Sequence, residues 1–169
     1  DAPRQAVRCN CSHCRRKGKS VTLFFRRVLF RSKDVGAAVA SGSFRTRGMI
    51  VAPCTVKTLS AIANSFTYNL VVRAADVQLK EGRKLVLMVR ETPLHKGHLE
   101  LMTRAADCGA VILPPMPAFY HQPQSIMDII HQSIGKALDQ VGIEHQLFKR
   151  WTGHGPAAQP CAEAVRTVT

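Results

Sequence analysis

From about Asp34 the chain alternates short, nearly continuous apolar runs with longer amphipathic stretches, and few folds accommodate that alternation. The runs Met49–Ala52, Leu85–Val89 and Ala110–Leu113 contain no polar residue at every second position. A strand of that kind has no wet face, so it has to be covered on both sides, as in a parallel sheet. The stretches between the runs carry helical periodicity: 56–64, 70–80, 98–108 and 125–141. In 98–108 the spacing puts Leu99, Met102 and Ala106 on one face. In 125–141, Ile126, Ile129, Ile130, Ile134, Ala137, Leu138 and Val141 form one stripe expected to face a core. Strands alternating with helices predict an α/β fold, a Rossmann-like three-layer sandwich with a mostly parallel sheet. Residues 152–169, with Gly153, Gly155, Pro156 and Pro160, read as a loose C-terminal tail.

With 169 residues, of which 46% are hydrophobic, the chain can build one domain with a real core and is too short for two ordinary ones. Its net charge of +13 would suggest a nucleic-acid partner, but the charge is unevenly placed. Residues 1–33 hold ten Lys/Arg against the single acid Asp1, whereas 34–169 hold fourteen against ten. The basic signal therefore belongs to a stretch with no strand or helix period, set apart here from the domain that begins at residue 34. We read 1–33 as translated non-native sequence from a frameshift or assembly error, with a basic tail or an Arg-rich targeting segment as the alternatives. No apolar run is long enough to span a bilayer, and the patch from Leu23 to Phe30 is broken by Arg26 and Arg27. Cys54, Cys108 and Cys161 lie far apart and read as free thiols, which favours a cytoplasmic location. Cys9, Cys11, His13 and Cys14 are metal-type ligands, but their spacing is not that of a common zinc site, no second ligand pair follows, and no metal is expected.

In an open parallel sheet, ligands gather beyond the carboxyl ends of the strands, where loops converge and helix N-termini direct free N–H groups. Three segments stand there: Pro53–Thr58, Arg90–His95 and Pro114–Tyr120. Thr55 and Thr58 offer hydroxyls and Lys57 an ammonium at a helix start, suited to an anion or the polar edge of a flavin, although a threonine there also serves simply as a cap. Arg90 beside Glu91 is either half of an ordinary ion-pair network or a two-point phosphate clamp next to an acid–base group. Arg73 and Lys80, two turns apart on one predicted helix, and Lys136, off the centre of the last apolar stripe, are each surface charges on their own evidence.

Taken together, Ser41-Gly42-Ser43-Phe44, Pro53-Cys54-Thr55-Val56-Lys57-Thr58-Leu59-Ser60, Arg73-Ala74-Ala75-Asp76, Arg90-Glu91-Thr92-Pro93-Leu94-His95 and Pro117-Ala118-Phe119-Tyr120-His121-Gln122-Pro123-Gln124 follow one pattern in order and spacing. From about residue 34 to Trp151 the chain resembles the flavin prenyltransferases of the UbiX type. The resemblance implies transfer of a dimethylallyl group from dimethylallyl monophosphate to reduced FMN, at flavin N5 and C6. The product, prenylated FMN, would be used by a partner decarboxylase of the UbiD type. It implies that Thr55, Val56, Lys57, Thr58 and Arg90 contact the flavin. Arg73, Lys80, Arg90, Tyr120 and Lys136 would surround the prenyl phosphate, some of them from neighbouring subunits, and Trp151 would lie near the substrate pocket. Glu91 matches the acid–base residue, with Arg90 and Lys80 beside it in the catalytic set. It further implies a homo-oligomer, a dodecamer built of trimers. Fixed cations and a proton donor can stabilise a departing phosphate without metal, and the chain has no D-D-x-x-D motif.

The family pattern also includes an opening strand, a G-x-S-G-A flavin loop, a helix, a second strand and a further flavin-contacting serine. Residues 1–33 contain no such loop. The expectation is a chain that keeps most substrate-side residues and lacks much of the flavin cradle, its N-terminal part incomplete. Three other classes compete with prenyl transfer. They are a flavin-dependent cysteine decarboxylase of the same fold group, an inactive remnant that only oligomerises, and a nucleic-acid binder using the basic N-terminus.

Overall fold

The computed structural model describes residues 20–24, in their backbone, and 37–150. Trp151, the tail at 152–169 and the Cys9–Cys14 cluster lie outside the described residues. The elements in chain order are β1 (Ser20–Phe24), a 3-10 turn (Ala38–Ala40), β2 (Thr46–Cys54), α1 (Val56–Ala63), α2 (Leu70–Lys80), β3 (Lys84–Val89), α3 (Lys96–Asp107), β4 (Ala110–Ile112) and α4 (Ile126–Gln140). The four strands form one sheet in the order β1-β2-β3-β4, and every pair is parallel. The stretch 1–33, set apart by its composition, thus supplies an edge strand, with Leu23 opposite Ile50 and Phe24 opposite Val51. Its mixed, Arg-interrupted sequence gave no period from which that strand could be read.

The two-faced burial expected of the apolar runs is realised residue by residue. Along β3, Leu85, Leu87 and Val89 enter one core with Met49 and Val51 of β2, against Leu59, Ile62, Val71, Val72 and Ala105 from the helices. The intervening Val86 and Met88 join Ile50 in a second core, closed by Ala137 of α4 and by Val141, which caps that helix. Side chains alternate between the faces of a strand, so helices α1 to α3 cover one face and α4 the other. No helix among the described residues is long and apolar enough to cross a membrane.

The helix faces differ from expectation in two places. In α3 the residues that pack on the core are Leu101, Met102 and Ala105, whereas Leu99 is 51% exposed and Ala106 is exposed. The helix also begins two residues earlier than its pattern suggested, because His95 acts as its N-cap, Nδ1 accepting from the Gly97 amide at 3.1 Å. In α4 only Ala137 and Val141 of the expected stripe are fully buried, with Leu138 packed beside them, while Ile126, Ile130 and Ile134 lie 77%, 40% and 40% exposed. At 3.6 residues per turn these isoleucines lie on the same side as Ala137 and Val141, so the stripe runs on toward the start of α4, where the described residues leave it exposed.

Two polar features hold this frame. Thr46 and Gln78 are both buried, and the Thr46 hydroxyl donates to Gln78 Oε1 at 2.6 Å, joining the start of β2 to α2. Replacing Gln78 with leucine strands that hydroxyl, and a loss of about 1–3 kcal/mol in urea unfolding is expected; adding Thr46→Val should recover part of it. At the head of α4, Ser125 Oγ accepts from the Asp128 amide, and Asp128 Oδ2 accepts from the amides of Gln124 and Ser125, each at 2.9 Å. These bonds, the Gln124 amide foremost, hold the Asp128 carboxyl below its usual range. A depressed carboxylate stabilises above its unfolded value of about 3.9 and ceases to do so as pH falls through the folded one. Asp128→Asn should therefore lessen the drop in stability measured below about pH 5.

Candidate active site

Each of the three covered strands ends in a turn that feeds a helix, so the N-termini of α1, α3 and α4 all lie toward the carboxyl edge of the sheet. At the end of β2, Thr55 has extended backbone angles and caps α1, its Oγ1 accepting from the Thr58 amide at 3.3 Å. The two threonine hydroxyls lie 3.2 Å apart, Thr55 exposed and Thr58 buried. Val56 is half-buried and Lys57 exposed, with its ammonium 5.0 Å from the centre of the Tyr68 ring. Capping does not use up the donors here: Thr55 satisfies one amide, while the remaining free N–H groups, two hydroxyls and an ammonium stay available to a polar ligand. That donor set fits the polar edge of a flavin. Cys54, one residue earlier, is fully buried at the end of β2, and burial pushes its thiol up to about 12.

At the end of β3 the Arg90 amide donates to the Cys54 carbonyl at 3.3 Å, tying this strand end to that of β2. Arg90 and Glu91 are both exposed, and among the described residues neither forms an ion pair. The pair network that would have been the ordinary explanation of these two charges is thus absent from the described part of the chain. Glu91 Oε1 accepts from the Thr92 amide at 3.2 Å, which leaves its second oxygen without a partner in that set. The described residues around Glu91 do not enclose it, since Thr92, Pro93 and Leu94 are exposed too.

Beyond β4, Tyr120 is 70% exposed and its hydroxyl accepts from Gln132 Nε2 at 3.2 Å. Gln132 is buried in α4, and it is a supporting residue that sequence reading missed, although a glutamine one turn after Ile129 on an apolar helix was a visible signal. His121, edge-on to Tyr120 at 5.6 Å, has both ring nitrogens buried without a hydrogen-bond partner among the described residues, and the same holds for Nδ1 of His98 in the first turn of α3. Buried polar atoms of this kind are ordinarily satisfied, so this edge is polar beyond the residues first singled out.

The remaining cations are placed differently. Arg73, in the first turn of α2, is half-buried and pairs with Asp76 at 3.0 Å. Lys80 closes the same helix, and its ammonium lies 3.4 Å from Glu81, beside Gly42 and below the start of β2. Glu81 also faces Arg83 at 3.8 Å, and Arg83 donates to the carbonyls of Gly42 and Phe44 at 2.6 and 2.7 Å. The Ser41–Phe44 motif is therefore strapped to the amino edge of the sheet. Lys80 and Glu91 stand at opposite ends of β3, whose six residues rise about 20 Å. Lys136 lies in the last third of α4, on the far side of the sheet from α1 to α3, with its ammonium 5.8 Å from the Phe148 ring centre. One chain thus gathers Thr55 to Thr58, Arg90, Glu91 and Tyr120 toward one edge and holds Lys80 at the other.

The profile of the Flavoprotein family matches residues 17–136, a span that takes in β1. The chain is 67% identical over 121 residues to the flavin prenyltransferase UbiX of Thauera aromatica, covering 72% of this chain and 62% of that protein. It is 58% identical over 128 residues to the flavin prenyltransferase UbiX of Escherichia coli strain K12, covering 75% and 68%. Among solved structures it is similar to AnUbiX (PadA1) in complex with FMN and dimethylallyl pyrophosphate, with TM-score 0.71, 51% identity, and coverage of 73% of this chain and 66% of the other. It is also similar to a dodecameric FMN-dependent UbiX-like decarboxylase from E. coli O157:H7, with TM-score 0.69, 52% identity, and coverage of 72% and 66%. The chain thus spans about two thirds of the length of the relatives it matches, and it belongs to the flavoprotein family, among the UbiX-type flavin prenyltransferases.

Proposed function

We propose that this chain serves a flavin prenyltransferase, moving a dimethylallyl group from dimethylallyl monophosphate to reduced FMN. The observation that carries the reading is the Arg90–Glu91 pair. It is exposed, unclaimed by any ion pair among the described residues, and set beside the capped N-terminus of α1. Reduced FMN, when bound, supplies the atoms that accept the prenyl group. Thr55, Val56, Lys57, Thr58 and Arg90 hold it through hydroxyls, amides and positive charge. Glu91 moves a proton at its free carboxylate oxygen as phosphate departs. Arg73, Lys80, Arg90, Tyr120 and Lys136 neutralise and donate to the phosphate, and Trp151 borders the prenyl pocket. A phosphate dianion is a poor leaving group, and preorganised cations lower that barrier without needing to reorganise.

The separation of Lys80 from Glu91 along β3 supports a site completed by a second copy, whose amino-edge lysine reaches the carboxyl-edge pair of its neighbour. A dodecameric relative and the exposed isoleucines of α4 support the same assembly, a dodecamer built of trimers. The product, prenylated FMN, would pass to a decarboxylase of the UbiD type in the cytoplasm.

Anaerobic incubation of the chain with reduced FMN and dimethylallyl monophosphate, followed by mass spectrometry, should yield prenylated flavin. Glu91→Gln should slow its formation by about 100-fold or more. No product from either, together with failure to retain flavin, would mark an oligomerising remnant. Sharing of the site has its own test. Lys80→Ala and Glu91→Gln chains, each impaired alone, should recover part of the activity when mixed under exchanging conditions, because some sites then receive an intact Lys80 and an intact Glu91. Mixtures no better than the average of the two would place both residues in one subunit's site.

A further inference from the structure

After α4 the chain turns back along that helix, and the contacts that hold it there centre on His145. Its side chain is 6% exposed. Nδ1 accepts from the Leu147 amide at 3.2 Å, which leaves the ring hydrogen of the neutral form on Nε2. Nε2 lies 2.8 Å from the Gly135 carbonyl and 3.1 Å from Asp139 Oδ1, both on α4. Asp139 also accepts from Arg150, Nη1 to Oδ2 at 3.2 Å and Nη2 to Oδ1 at 2.6 Å. That two-point pairing is the geometry in which an exposed arginine still gives directional strength. The Arg150 bonds come first in holding the Asp139 carboxyl below its usual range.

Between these anchors sits Phe148, its ring 5.3 Å from that of His145. Gly135 is what lets both approach α4, because a Cβ there would stand 2.5 Å from His145 Cε1 and from Phe148 Cε1. The ring so seated has the Lys136 ammonium 5.8 Å from its centre and the Arg150 guanidinium at 5.6 Å, within the range of cation–π attraction. The same turn of chain thus contacts a lysine assigned above to the phosphate and fixes the residue immediately before Trp151.

We propose that residues 143–150 are a positioning latch: Asp139, through His145 and Arg150, seats Phe148 on Gly135, and Phe148 sets the Lys136 ammonium for a phosphate-bearing ligand. The proposal rests on the reading of Lys136 given under the proposed function. None of Asp139, His145 or Phe148 touches the reacting atoms; they act through Lys136.

The test uses the full chain and its Asp139→Asn, Phe148→Leu, Lys136→Gln and Asp139→Asn/Lys136→Gln variants, with two readouts. One is the ring-current displacement of the Lys136 ε-methylene resonance, which needs no ligand. The other is the affinity for dimethylallyl monophosphate by calorimetry. Asp139→Asn and Phe148→Leu should each abolish the displacement and weaken binding about tenfold, as Lys136→Gln does. The double variant should bind no more weakly than Lys136→Gln alone, because the proposed latch acts on the phosphate through Lys136; a further loss in the double variant would overturn that route. A displacement that survives Asp139→Asn would overturn the latch, and so would its loss with unchanged affinity. A parent chain that shows the displacement but binds no monophosphate would overturn the function on which the proposal rests, and the ligand assigned to the latch with it.

Discussion

The parallel pairing of β2 with β3 is the constraint on which the rest of this molecule depends. Met49, Ile50 and Val51 stand opposite Leu85, Val86 and Leu87, and each pair sends its side chains alternately into the two cores. Because both faces need cover, the chain has to send helices to both, and every parallel step requires a crossover of a dozen or more residues. Those crossovers place the helix N-termini at one edge and their C-termini at the other. The chemistry inherits that polarity: amide-rich helix starts with Thr55, Arg90 and Glu91 on one side, and the helix end with Lys80 on the other.

Much of this frame was legible because buried parallel strands leave an unmistakable trace. Runs such as Leu85–Val89 have no polar partner residues, and the structure assigns each of them a strand within two or three residues at either end. Helix positions were legible for the same reason, since periodicity reports the existence of a face. What it does not report is which apolar residue meets the core. Leu99 and Ala105 lie on faces of α3 that the pattern alone cannot rank, and packing against α1 and β4 selected the second. In α4 the pattern reported one stripe, of which only the C-terminal end, at Ala137 and Val141, is fully buried in the core. The strand Ser20–Phe24 was illegible because arginines flank it and its pairing is decided by the backbone of β2 rather than by its own sequence.

The site divides along a similar line. Groups whose roles follow from an element boundary, such as the Thr55 cap or Arg90 and Glu91 just past β3, could be located by finding the boundary. Groups defined by what lies across space could not. Arg73 and Lys80 share a helix and an apparent side, yet one is paired with Asp76 and the other is bound up with the Gly42 strap about 10 Å further along the helix axis. Gln132 and the Asp139 cluster carry no motif of their own; packing of Tyr120 on α4 brings the first to a motif residue, and the folding back of the chain onto α4 brings the second to Lys136.

The isoleucine side of α4 bears on how this protein would behave as a substance. Ile126, Ile130 and Ile134 recur every four residues and so lie one above another along the helix, a greasy ridge on an otherwise strongly charged molecule. Such a ridge is unfavourable in water for as long as it stays uncovered. Whatever covers it adds its binding free energy to the folding of the chain itself. Thermal unfolding then ceases to be a property of a single molecule, and its midpoint climbs with protein concentration.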